Sequence, residues 1–561
     1  MRLYFLVFLF LIQLHAFAQQ SDELLTVVEG ELNREMAEFK KANTPPYYLA
    51  YRINDIRSTV LTSSFGSLTG KHSNRARVMV TDLRVGDYSM DNSHPLDDMN
   101  NDEVPYEAMQ GHNAVQLPLD NRPEAITLAI WEQTQQSYRS ALSIYKAVKN
   151  APKKTETVLA DFSKEPASVH IDPSLTDTAS FFNMKEWISR IKKLSEPFLA
   201  NSDIIDGEAS IDVGMERKYF ISSEGSRVAQ NRTFAYITIG GSIRADDGDI
   251  VPLHLSYFAF EPRLLPANEI ILKDVAAMIE KLNKLKSAPV AEPYTGPAIL
   301  YAHAAGVFFH EIFGHRVEGH RLKDKMDGQT FKSKIKEQVL PKSLSVTFDP
   351  TLSQFNGQAL NGYYQYDDEG VKGQKVKVVE KGVLKTFLMS RSPLESFGNS
   401  NGHGRADAGS DAVSRQSNLI IENEKVVPMS DLRKMLIAEC KKQKKTYGYL
   451  FMDVVGGFTT TQRYMPNAFN IFPTEVYRIY VDGRADELVR GVDLIGTPLA
   501  MFAEIQAADD KSQVFTGFCG AESGSVPVTA ISPSLYVKRI ETQKKATEQV
   551  EKALLEKPHG N

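Results

Sequence analysis

The stretch His310-Glu311-Ile312-Phe313-Gly314-His315 places two imidazoles and one carboxylate within six residues. Imidazole nitrogen is the commonest protein ligand for zinc, and a carboxylate beside the first ligand can take a proton from water that the metal activates. The chemistry on offer is metal-assisted hydrolysis. The thermolysin-type spacing is H-E-x-x-H, with the histidines one helical turn apart; here the gap is one residue longer. Five residues rotate by about 500°, so on a regular helix the two rings point about 140° apart. They can meet one metal only if the helix is distorted between them, and Gly314 stands where a kink or π-bulge would relieve the rotation. The spacing therefore predicts a broken helix as well as a metal. The alternative is a buried His–Glu pair that only satisfies itself. The preceding run Tyr301 to Phe309, apolar and rich in small residues, weighs against that. It reads as a buried helix delivering polar groups into an interior where unpaired imidazole and carboxylate are costly. Arg316, Glu318, His320 and Arg321 follow on a more polar continuation.

A zinc site needs a third protein ligand and, for catalysis, an open fourth position. The chain has two cysteines, Cys440 and Cys519. Cys440 lies in Asp431 to Lys442, whose apolar spacing is helical, and reads as a plain helical thiol. Cys519 lies in Gly517-Phe518-Cys519-Gly520, where glycine lets the backbone approach closely, and is the better candidate ligand. A Cys440–Cys519 disulfide is the rival reading.

Together with His310 to His315, the segment Val514 to Val528 (VFTGFCGAESGSVPV) resembles the TldD/PmbA metalloprotease family, which carries an H-E-x-x-x-H helix and a late Cys-Gly followed by a small-residue turn and a Val-Pro-Val strand. Asp367-Asp368-Glu369-Gly370, Glu380 to Leu388, Glu318-Gly319 and Ser414-Arg415-Gln416-Ser417-Asn418 extend the likeness, which is specific from about 297 to 540 and looser from about 21 to 290. The resemblance implies a zinc peptidase with Zn²⁺ on His310, His315 and Cys519, Glu311 as general base, and peptide substrates. It also implies a dimer, with a second copy or with a catalytically silent TldE/PmbA-like homologue. The loop Asn399 to Ser410 departs from the TldD version, so the substrate preference is not carried over. Arg415 and His403 are candidate oxyanion donors and, with Ser417 and Asn418, candidate substrate contacts, each with a structural role as the competing reading. Ser414 to Ile421 and Ser525 to Thr529 are candidate edges for strand addition by a peptide, with ordinary internal strands as the equal alternative. A metal-dependent module that binds peptides without cleaving them is the second functional reading.

The elements that must position these residues follow from periodicity and punctuation. Helical spacing predicts helices over Ser21 to Lys41, Pro123 to Lys149, Asn183 to Phe198 and Asn268 to Leu285. Alternation predicts strands over Tyr47 to Ile53, Ser58 to Ser67 and Ala76 to Tyr88, and more between about Ile205 and Phe260. Asp91 to Asn121 reads as a polar loop. The Pro-rich stretch Ser287 to Pro297 divides an N-terminal mixed domain, 19–290, from a C-terminal mostly β metalloprotease domain, 297–540, with a charged helix or tail over 541–561. The class is α+β, with an antiparallel sheet in the first domain and the kinked metal helix near the junction.

Composition narrows the setting. Of 561 residues 42% are hydrophobic, enough to bury a large core. Lys and Arg number 65 against 70 acidic residues, a balance that gives no broad pull toward nucleic acid. Met1-Arg2, an apolar run from Leu3 to Ile12 and Ala16-Phe17-Ala18 have the form of a secretory signal peptide over 1–18. The expectation is an exported, periplasmic protein without stable membrane insertion, the run being short for a spanning helix. Two cysteines in so long an exported chain exclude a disulfide scaffold.

Overall fold

A computed structural model describes residues 22–96, 114–151, 159–175, 181–463 and 468–545. The signal-peptide segment, the middle of the polar loop after Asp91 and all but the start of the charged tail lie outside the described residues. The architecture is α+β, with a C-terminal mostly β region, as the sequence predicts.

The N-terminal half is one long antiparallel-dominated sheet. Its central strands run Pro46–Ser64, Ser67–Val85, Ile204–Ser222, Arg227–Arg244 and Ile250–Ala259. The first two form a continuous hairpin, with register shifts only at Pro46/Tyr48 and Thr62/Ser63, where the sequence suggested three shorter strands. The turn is Phe65-Gly66, at φ of 46° and 76°. A two-residue turn with positive φ at both positions matches the twist of the strands, but Phe in the first place hid it among β-formers.

Side chains alternate across a strand, and here the alternation decides which face meets what. Odd-numbered residues such as Leu49, Tyr51, Ile53, Ile211, Val213, Tyr219, Ile237 and Ile239 are buried under four helices. Those helices are Glu23–Phe39, Pro123–Asn150, Met184–Ser195 and Asn268–Lys286. Even-numbered residues face the C-terminal half: Lys218 Nζ reaches Asp368 at 2.9 Å, Gln230 donates to the Tyr366 carbonyl at 2.7 Å and Arg232 to Asn361 at 3.0 Å.

The C-terminal half holds two sheets with the motif helix Ala302–Ile312 packed between them. In the first, Tyr447–Thr459, Tyr294–Leu300, Leu535–Lys544, Val492–Gly496 and Phe469–Tyr480 follow in order, and the last pairs back with the first, closing a ring. In the second, Leu344–Phe348, Asn418–Asn423, Gly524–Ser532 and Gln513–Ala521 lie side by side, the last of them at the edge. The predicted strand-addition edges are corrected in part: Asn418–Asn423 has a neighbour on each side, while Gly524–Ser532 pairs along its length with Gln513–Ala521 and only from Thr529 also with Asn418–Asn423. Glu541 to Lys544 continue a strand rather than begin a helix.

Asp367-Asp368-Glu369 is a clamp between the halves. Asp368 takes Lys218, Asp367 Oδ2 accepts the Gly404 N–H at 2.9 Å, and Glu369 accepts the Arg391 N–H at 2.7 Å. Arg391 is itself paired with Glu224 at 2.8 Å. Burial pushes the Glu369 carboxyl up from 4.5 to about 7, against the pull of the Arg391 N–H and guanidinium. A carboxyl with a raised folded-state pKa holds its proton more tightly when folded, so its contribution to stability falls as pH rises from 4.5 through about 7. Glu369→Gln should therefore raise the melting temperature at pH 8 and leave it nearly unchanged at pH 5, read by calorimetry on both proteins.

Candidate metal centre

The α-helix carrying the motif ends at Ile312, and Gly314–Val317 forms a separate 3-10 turn. The predicted break is present, made by a change of helix type. Ending a helix here orphans carbonyls that a buried site cannot leave unpaired. Arg316 Nη1 donates to the carbonyls of Glu311 at 2.9 Å and Ile312 at 3.0 Å, and Gln416 Nε2 donates to that of His310 at 3.2 Å. Gly314 is required by this packing: a Cβ there would overlap the Gln416 side-chain amide.

The break brings the two rings to a centroid separation of 5.1 Å, nearly perpendicular to each other. Cys519, on the edge strand Gln513–Ala521, completes the group, and the donor atoms of His310, His315 and Cys519 all lie within 4.8 Å of one another. Cys519 Sγ is 3.4 Å from His315 Nε2. Glu311 Oε2 lies 3.9 Å from the same nitrogen. Both cysteines are free, which removes the disulfide reading, and Cys440 is a buried thiol of helix Met429–Lys442.

Electrostatics tie the three donors together. Burial favours the neutral thiol at Cys519, but the imidazoles of His315 and His310 outweigh it and hold the thiol well below its usual range. Burial likewise favours neutral imidazoles, and the Cys519 thiolate outweighs it, raising His310 and raising His315 further with help from Glu318. Glu318 is fully buried. Its Oε2 meets His315 Nδ1 at 3.1 Å and Arg321 Nε at 2.8 Å, and its Oε1 lies 3.5 Å from Arg415 Nε. Arg415 Nη2 in turn donates to the Cys519 carbonyl at 2.6 Å. One carboxylate–guanidinium pair thus braces both ligand-bearing segments. The i,i+3 step from His315 to Glu318 was visible in the sequence, but nothing there gave Glu318 its role.

Two imidazoles and a thiolate, oriented from behind by a carboxylate, fit a borderline-soft divalent ion such as zinc. His310 and Glu311 line a cleft of about 820 Å³. One wall comes from the N-terminal half, with Tyr236, Thr238, His254 and Ser256 of its sheet prominent, and the other from Gln513 to Phe518 with Asp453 to Gly457. The expected substrate contacts are corrected by burial. Arg415, His403, Ser417 and Asn418 are each 0% exposed. Burial lowers His403 to about 3, so its ring is neutral; it bonds Ser417 Oγ and the Asn401 carbonyl, both at 3.1 Å. Asn418 Nδ2 holds the carbonyls of Asp349 and Leu352 at 2.9 Å. These four residues shape the interior, and none of them lines the cleft.

The fold and site together define a two-half α+β protein with a buried His–His–Cys centre beside a cleft. Residues 293–544 match the PmbA/TldA metallopeptidase C-terminal domain, so this half of the chain is similar to that domain of the TldD/PmbA family. A metalloprotease of Archaeoglobus fulgidus is 30% identical over 262 residues, 46% of this chain and 56% of that protein. A zinc metalloprotease TldD homolog of Saccharolobus solfataricus is 26% identical over 273 residues, 48% and 56% of the two chains. The chain spans about half the length of the curated relatives it matches. TldE from Thermococcus kodakarensis shares the fold, with a TM-score of 0.60 over 92% of this chain and 100% of that chain at 14% identity. A Thermotoga maritima structure does so at 0.60, 16% identity and the same coverage.

Gly314→Ala should cost about 1–3 kcal/mol by overpacking, measured by denaturant unfolding, with much of the loss returned in the Gln416→Ala background. Glu318→Gln should weaken metal affinity about 10- to 100-fold, read by competition with a chromophoric chelator.

Proposed function

We propose that this chain is a zinc-dependent peptidase that hydrolyses peptide bonds in short or unfolded peptides. The observation that carries the reading is the convergence of His310, His315 and Cys519, with Glu311 beside them at a cleft open to an extended chain. His310, His315 and Cys519 would hold the ion, which when bound supplies Lewis acidity toward the scissile carbonyl and toward water. Glu311 takes the proton from the attacking water and delivers it to the leaving amine. Glu318 fixes the His315 ring through Nδ1 so that Nε2 faces the thiol. The edge strand Gln513–Ala521 runs along the cleft and supports main-chain capture of substrate, which reads many sequences alike. The carbonyls of Gly517 and Cys519 are already engaged by Asn361 and Arg415, so the stretch before Gly517 supports this best.

The proposal includes an exported setting, supported by the Met1 to Ala18 segment, and assembly with a second copy or a TldE-like homologue. Among the described residues no helix is long and apolar enough to cross a membrane.

Metal analysis of the purified protein should find one zinc per chain. A His₂Cys set also suits copper, and stoichiometric copper in place of zinc would overturn the hydrolase. Glu311→Gln should keep the metal while cleavage of a peptide library falls about 10²- to 10⁴-fold. Peptide binding with no cleavage by the wild type would support the non-cleaving module instead.

A further inference from the structure

The cleft holds a second polar pair that this chemistry leaves unused. His303 precedes His310 by seven residues, about 20° short of two full helical turns, so both rings stand on one face about 10 Å apart along the axis. Both line the cleft. Opposite His303 is Asp453, with Oδ1 3.5 Å from His303 Nδ1, and both side chains are about two-fifths exposed, at 39% and 41%. Asp453 sits where strand Tyr447–Thr459 loses register against Phe469–Tyr480, with shifts at Phe451/Asp453, Asp453/Val454 and Val454/Gly456. Bulges of this kind re-aim side chains beside active sites. The Val454 N–H pins the carboxylate at 2.9 Å. On its other side the His303 ring stands edge-on to Phe515 of the edge strand, with centroids 6.4 Å apart.

With Nδ1 turned toward a carboxylate, the ring directs Nε2 away from it, and in the tautomer with the proton on Nδ1 that nitrogen is an acceptor. An extended peptide rises about 3.3 Å per residue, so 10 Å is about three residues. We infer that His303, oriented by Asp453, is a substrate-positioning residue that accepts a main-chain N–H about three residues from the scissile bond. The inference rests on the peptidase reading above. It makes the enzyme sensitive to peptide length rather than to side-chain identity, because every residue except proline carries that N–H.

The test compares wild type, His303→Ala, His303→Gln and Asp453→Asn on peptides graded from dipeptides to octapeptides. For the long peptides His303→Ala should raise KM about tenfold, the worth of one hydrogen bond. Its kcat and zinc content should be unchanged, and its dipeptide kinetics should be those of wild type. His303→Gln keeps an acceptor and should recover part of the loss, and Asp453→Asn should fall between. A uniform loss at all lengths, a fall in kcat, or no change would overturn the inference. A fluorescent octapeptide titrated into Glu311→Gln and Glu311→Gln/His303→Ala separates the two claims. Weaker binding in the double variant while wild type never cleaves overturns the peptidase and keeps His303. Cleavage by wild type with equal affinity in both variants does the reverse.

Discussion

A helix that must stop between its two histidines is the constraint on which the rest of the structure depends. Stopping a helix in water is cheap, because solvent takes the freed carbonyls; stopping it in a packed interior leaves acceptors that each cost about 1–3 kcal/mol if unpaired. The chain meets this cost locally through Arg316 and from a distance through Gln416. Gln416 comes from the segment that also supplies Arg415, so the break and the far ligand are organised by neighbouring residues. The glycine at 314 is then a packing requirement, since its place is filled by the amide that caps the helix.

Charge balance follows from the same burial. Cys519, Glu318, Arg415 and Arg321 crowd a space with little water, and the two imidazoles share it. Without an ion, protons drawn onto the histidines offset the thiolate, which is why His310 and His315 shift upward while Cys519 shifts downward. A divalent cation supplies the same compensation in one particle and releases those protons, the ordinary coupling between metal binding and pH. The directions of these shifts fit a cavity that accommodates positive charge.

How much of this was legible in the sequence differs by element. The metal trio was, because histidine, glutamate and a glycine-flanked cysteine are rare enough in a chain with two cysteines to be singled out. The helix break was legible once the two histidines were taken to share one ion, because the rotation between them then requires it. The Phe65-Gly66 turn was not, since phenylalanine in a positive-φ position contradicts the usual turn chemistry. Arg415, His403, Ser417 and Asn418 looked like substrate contacts because polar residues in a motif block suggest a surface. Burial reverses that reading, and sequence carries no direct signal of whether a polar side chain faces a cleft or a core. The edge strand was misassigned for a related reason. Periodicity finds strands but does not say which of them lacks a neighbour, and that property belongs to the whole sheet.

The division of labour between the halves follows from alternation along the N-terminal strands. Odd residues bury themselves under helices, so their identity is constrained by packing; even residues facing the cleft carry no such packing constraint. The two regions also differ in their likeness to other proteins. The family match covers 293–544, the half with the ligands, while the half that builds the opposite wall shares only the fold with TldE from Thermococcus kodakarensis. The candidate ligands are thus concentrated in the C-terminal β region, and Tyr236, Thr238, His254 and Ser256 line the cleft opposite the edge strand. A sheet holds such a wall more firmly than loops would, so a change at one of these even positions alters the cleft without disturbing the core beneath it.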